Sequence, residues 1–301
     1  MRVKRTVRHD RPSDLTCLGD DVSVSEPPAS AAPAPGTPAR GDLLAAVDRS
    51  PQAAAAHDRS AWVGLFADDG QIEDPVGSAP HRGHDRIGRF YDTFIGPRDI
   101  AFGRSVDVVH GFTVVRDLTL HVTMGAELTM AIPAYLRYDL TPVRDGYAIT
   151  RLRAHWELPS MVLEFARGGI ASVRPGLGLG RGLLRNQGPA GAVGFASGFR
   201  RAGAGRRRQV TDLLDDACAG NEVAVRRRLS GGVPVTVGDA DRITASDLAA
   251  RLRGGRWQKA IAAGSTVTAG VEVDGQRGVL FADVGSGRGA VSAVRLFVED
   301  R

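Results

Sequence analysis

The sequence predicts an α+β architecture, with helices followed by a curved antiparallel sheet packed on them, present twice in one chain. Three observations lead there. Helical spacing opens residues 42–157 and gives way to strand-like alternation. The same outline returns in shortened form at 210–301. The two segments are set apart by sequence of other kinds: a Pro/Ala/Ser-rich stretch at 1–41 and a Gly/Arg-rich connector at 158–209.

Residues 1–41 offer too little apolar surface to offset chain entropy and read as a disordered tail. After Gly41, Asp42–Asp48 and Ala53–Ala56 read as helical, with a break expected near Ser50-Pro51. A second short helix follows Asp58, a plausible N-cap, with Trp62, Leu65 and Phe66 on its apolar face. Residues 67–70 read as a turn, 71–76 as a short strand that Pro75 stops, and 84–93 as a third helix. Alternation then predicts strands around 118–124, 128–139 and 148–156, with Pro133 marking an edge or bend. A curved sheet over helices encloses an apolar cavity, a natural small-molecule site.

The connector is expected to form short helices. In the last segment, two helices at 210–229, a strand at 233–237, a helix at 246–252 and strands at 266–273, 277–284 and 290–298 repeat the outline. Val237 and Gly238 fall where the first segment has Asp74, so this copy reads as degenerate and without a site.

Composition excludes several function classes. The net charge is +5, yet nine arginines and no Asp or Glu lie between Arg167 and Arg208, leaving the rest slightly acidic. Few aromatics interleave with those arginines, so nucleic acid is not an expected partner. No apolar run is long enough for a membrane span, although 158–209 suits weak contact with a membrane surface. Gly176-Leu-Gly-Leu-Gly-Arg-Gly follows no strand and does not read as a phosphate loop. Cys17 and Cys218 form neither a disulfide framework nor a metal spacing, and a cytoplasmic address is expected.

The informative stretch runs from Leu65-Phe-Ala-Asp-Asp-Gly through Glu73-Asp74-Pro75 to His84 and Phe90-Tyr91, with Leu136-Arg-Tyr-Asp and Ala154-His-Trp further on. Over residues 43–157 this resembles the ketosteroid isomerase branch of the SnoaL-like/NTF2-like superfamily. The resemblance implies an NTF2-like cone, present twice. It also implies steroid Δ-isomerase-like proton transfer beside a ketone on a steroid or similar apolar carbonyl compound. Asp74 stands at the position of the family's general base, where an apolar pocket would raise a carboxyl's pKa and strengthen it as a base.

The family's two oxyanion donors fall at Ser50 and Ala134, neither of which is a strong donor. Tyr91 matches a tyrosine that supports the first of those donors in some members and is the expected substitute. Phe90, Leu118, Leu120, Met130, Leu136, Leu152 and Trp156 match cavity-lining positions. His81 and His84 are placed near the pocket mouth, His121 and His155 on the opposite sheet face, none with a catalytic role. No metal or organic cofactor is implied. The partner is a small apolar, steroid-like ligand, with either a homodimer or an intrachain pairing of the two copies. The alternatives are a non-catalytic steroid- or polyketide-binding protein, or a SnoaL-like cyclase or dehydratase.

Overall fold

The computed structural model describes residues 38–124, 128–167, 173–199, 203–285 and 291–299. Most of the expected tail, with Cys17, lies outside these residues.

Helix α1 runs from Arg40 to Ala55, so it begins inside the expected tail and passes through Pro51 without breaking. Leu43, Val47, Ser50 and Ala54 repeat at helical spacing and are all buried. Burial of that stripe outweighs the roughly 3 kcal/mol an interior proline costs. Helix α2, Arg59–Val63, starts where Asp58 accepts a hydrogen bond from the Ala61 amide at 2.8 Å. Strand β1, Phe66–Glu73, absorbs the expected 67–70 turn as a bulge and ends at Glu73, just before Asp74-Pro75. After β2, His81–Arg82, helix α3, Gly83–Phe90, continues into a π-helical turn, Tyr91–Ile95.

Four long strands follow: β3 Asp99–His110, β4 Thr113–Met124, β5 Leu128–Val143 and β6 Gly146–His155. The sheet order is β2-β1-β6-β5-β4-β3, with only β1 and β6 parallel. Pro133 sits in a central strand, but beyond the end of β6, whose last partner on β5 is Tyr135. Its missing N–H therefore faces no neighbour on that side.

The connector is more helical than its glycines suggest. It forms α4, Leu158–Arg167, and α5, Val173–Ala196, kinked at Gly188. Here glycine serves close packing: a Cβ at Gly176 would stand 3.2 Å from the Phe165 ring, and one at Gly198 3.0 Å from Pro75.

The second copy comprises α6 Ala204–Cys218, α7 Glu222–Arg228, β7 Val235–Val237, β8 Asp241–Ile243 and α8 Ala245–Leu252. Its sheet is completed by β9 Arg256–Ala263, β10 Thr266–Val273, β11 Gln276–Val284 and β12 Val291–Val298. Its sheet order, β8-β7-β12-β11-β10-β9, reproduces the first, including the single parallel pair, β7 with β12. The α+β cone is thus present twice.

Each copy has its own apolar core, and a third cluster joins their outer sheet faces: Val108, Val115 and Tyr135 against Ile261, Val279, Phe281 and Phe297. Polar contacts flank it. The Tyr135 hydroxyl donates to the Lys259 carbonyl at 3.1 Å and accepts from the Gly270 amide at 2.6 Å. The Lys259 ammonium donates to the Leu118 and Ala134 carbonyls and pairs with Asp117. Among the described residues no helix is long and apolar enough to cross a membrane.

Candidate active site

Inside the first copy lies a cavity of about 350 Å³, within the range of ligand pockets. Its walls are strand residues that alternate inward on β3 to β6, for example Phe102, Leu120, Ile132, Leu136 and Leu152. Ser50 and Ala54 of α1 with Phe90 of α3 close one side. The connector supplies the roof, through Met161, Val162 and Phe165 of α4 and Leu179 and Phe195 of α5.

Asp74 enters this cavity from the end of β1. The Val76 amide donates to the Ala154 carbonyl at 2.9 Å, tying the turn to β6 and fixing where the carboxyl points. Asp74 accepts a hydrogen bond from the Trp156 indole N–H at 2.6 Å. Burial raises its pKa from 3.8 to about 6, and the indole bond holds it from rising further. The result is a carboxylate basic enough to take a proton and still ionised near neutral pH.

The structure brings Ser50, Asp74, Phe90, Leu120, Met130, Leu136, Leu152 and Trp156 together around the cavity. Three expected residues lie outside its lining. Tyr91 is buried beside Trp62, ring centroids 5.5 Å apart, and its hydroxyl has no partner among the described residues. The π-helical turn directs it into the core under α2 instead of the cavity. Leu118 and Ala134 pair across β4 and β5 and are covered by core side chains. Trp156, expected as an apolar wall, also serves as the donor to Asp74.

The sequence reading missed Tyr138. It continues the inward series Met130, Ile132, Ala134 and Leu136 on β5, so strand parity alone could have found it. Its side chain is buried and lines the cavity together with Ser50. Burial raises the phenol's pKa, while Arg116, with its guanidinium carbon 6.0 Å from the ring, and the neighbouring Ser50 hydroxyl pull it back. A neutral phenol beside an ionisable carboxyl therefore faces one apolar space. Arg98 and Phe94 are further lining residues that no motif announced.

The histidines stay away from this chemistry. His81 packs on Phe90, 5.1 Å between centroids, and burial lowers its pKa to about 4. His84 bonds the Phe66 carbonyl at 2.9 Å, and His155 bonds Thr268 of the second copy at 3.2 Å. Among the described residues no group of three His, Cys, Asp or Glu side chains could hold a metal ion.

Residues 47–155 match the family model of the SnoaL-like domain. This part of the chain is a SnoaL-like domain. No curated protein matches the chain significantly. Among solved structures, the SnoaL-like domain is similar to the RV0760c protein of Mycobacterium tuberculosis in complex with estradiol-17β-hemisuccinate. That protein is 27% identical, over 40% of this chain and 96% of its own, with a TM-score of 0.36. The Δ5-3-ketosteroid isomerase of a Mycobacterium species gives the same identity, coverage and TM-score. An LEH-like epoxide hydrolase of M. tuberculosis is 22% identical over 45% of this chain and 97% of its own, with a TM-score of 0.38.

Proposed function

We propose that the SnoaL-like domain transfers a proton beside a ketone of a flat, apolar, steroid-like compound, with Asp74 as general base and Tyr138 as the donor to the carbonyl. One observation carries this reading: a carboxylate whose pKa burial raises and a buried phenol line the same apolar cavity. The Asp74 carboxylate takes the proton from the carbon next to the carbonyl. The C–H electron pair forms a carbon–carbon double bond, and the carbonyl oxygen becomes an enolate that accepts from the Tyr138 hydroxyl. Asp74, now protonated, returns the proton to a carbon further along the conjugated system. Ser50, which lines the cavity with Tyr138, positions the phenol. Trp156 orients the carboxyl and favours its ionised form.

The test is conversion of a Δ5-3-ketosteroid, followed by absorbance of the conjugated product. Wild type should turn over and Asp74→Asn should lose at least about 10²-fold in rate while still binding the steroid. Binding without turnover in wild type would favour a non-catalytic ligand-binding protein instead. That alternative has its own support, since Ser50 and Ala134 stand where the resemblance puts the family's two oxyanion donors and neither is a strong one.

The contact between outer sheet faces supports reading the second copy as an intrachain partner for the first. Sedimentation of the full chain should then give a monomer; a dimer would overturn that reading.

A further inference from the structure

The cavity carries a second charged residue that the proton transfer does not use. Arg98 lines it just before β3 begins. Its one hydrogen bond among the described residues goes from Nη1 to the Thr93 carbonyl at 2.6 Å. No described carboxylate pairs with it, and burial lowers its pKa. A guanidinium has five N–H donors, so most of these remain available beside apolar Ile95 and Ile100. A partly buried cation with no counter-charge is unfavourable unless a ligand supplies one.

Strand register places Arg98 at the other end of the cavity from Asp74. Leu136 lies opposite Ala154, whose carbonyl holds the turn after Asp74. Met130 lies opposite Val122, and Val122 opposite Ile100, two residues beyond Arg98. Leu136 lies six residue steps along β5 from Met130, about 20 Å along an extended strand. An elongated ligand fits that separation better than a compact one.

We propose that the cavity takes an amphipathic ligand, its carbonyl at Asp74 and Tyr138 and an anionic group, a carboxylate or sulfate ester, on Arg98. This rests on the reading of Asp74 as the carbonyl end and narrows the substrate class to anionic conjugates of flat apolar ketones. Arg98 is then a specificity residue, since it is remote from the atoms that exchange the proton. A guanidinium matches both oxyanions with paired N–H bonds.

The full chain is titrated with testosterone and with testosterone 17-sulfate, followed by the fluorescence of Trp62 and Trp156, both of which line the cavity. The sulfate should bind about tenfold to a hundredfold tighter, and added salt should narrow the gap. Arg98→Gln should erase that preference and leave testosterone affinity within about threefold, whereas Arg98→Lys should keep part of it. A melting curve for each variant separates lost binding from lost folding. Equal affinities in wild type, or a preference that survives Arg98→Gln, would overturn the proposal while leaving the carbonyl site standing. If wild type binds neither steroid, the carbonyl reading itself falls, and this one with it.

Discussion

The two copies share a strand order and differ in what they enclose. In the first, β3, β4 and β5 run for 12, 12 and 16 residues, while β9 to β12 of the second run for 8 or 9. At about 3.3 Å per residue the strands of the first copy are the longer by roughly 10–25 Å. Over this longer sheet α4 and α5 roof the cavity. In the second copy Leu213, Leu248, Val267, Leu280 and Leu296 fill the interior. Pairing of β7 with β12 sets Gly238 where Asp74 stands, so the filled copy also lacks the carboxylate. The shared alternation produces both sheets, and the copy with the longer strands and the helical roof is the one that holds the Asp74 cavity.

This comparison can be broken by mutation. The largest expected effect is on the filled copy: Leu280→Ala should cost about 2–5 kcal/mol of stability, measured by denaturant melts, with ligand affinity of the folded fraction unchanged. A large loss of affinity would mean that the second copy shapes the cavity directly. Next, Tyr138→Phe should reduce turnover by about 10²–10³-fold with little change in binding, because the phenol matters most as the enolate forms. An unchanged rate would point to another donor, and Tyr91→Phe would then be the comparison to make.

Acidity sharpens the contrast further. Asp74 is raised from 3.8 to about 6, so between those values the folded chain keeps a proton that the unfolded chain has released. Stability from this group is therefore present at low pH and lost as pH rises through about 6. Asp74→Asn removes that loss and should melt as if about 2–3 kcal/mol more stable above that pH, with little difference near pH 4. The smallest effect is expected for Trp156→Phe. Losing the indole bond favours the protonated carboxyl, so the midpoint of the rate-versus-pH curve should move upward, by about one pH unit at most. A downward move would contradict the donor role of Trp156.

Local pattern accounts for what was legible in the sequence, and one recurring local feature for what was not. The strands that alternate without interruption, such as β4 and β10, were readable from one-dimensional period. The strand that follows the third helix escaped notice in both copies, β3 in one and β9 in the other. Both carry a bulge, between Arg104 and Val106 and opposite Thr268 to Gly270, and a bulge reverses the parity of every later side chain. The Pro51 break failed for a related reason: local propensity opposed the helix, but a buried stripe that only packing reveals overruled it.

By itself, the sequence determined the α+β class, the repetition of the outline and the position of Asp74 at the end of a proline-terminated strand. These follow from period and chain order, which are local properties. Only tertiary structure decided that Tyr91 turns into the core, that Tyr138 meets Ser50, that Arg98 closes the far end and that the Gly/Arg-rich connector roofs the cavity. Each depends on segments brought together from distant parts of the chain. Strand parity says which face a side chain occupies, but not what the rest of the chain places opposite it.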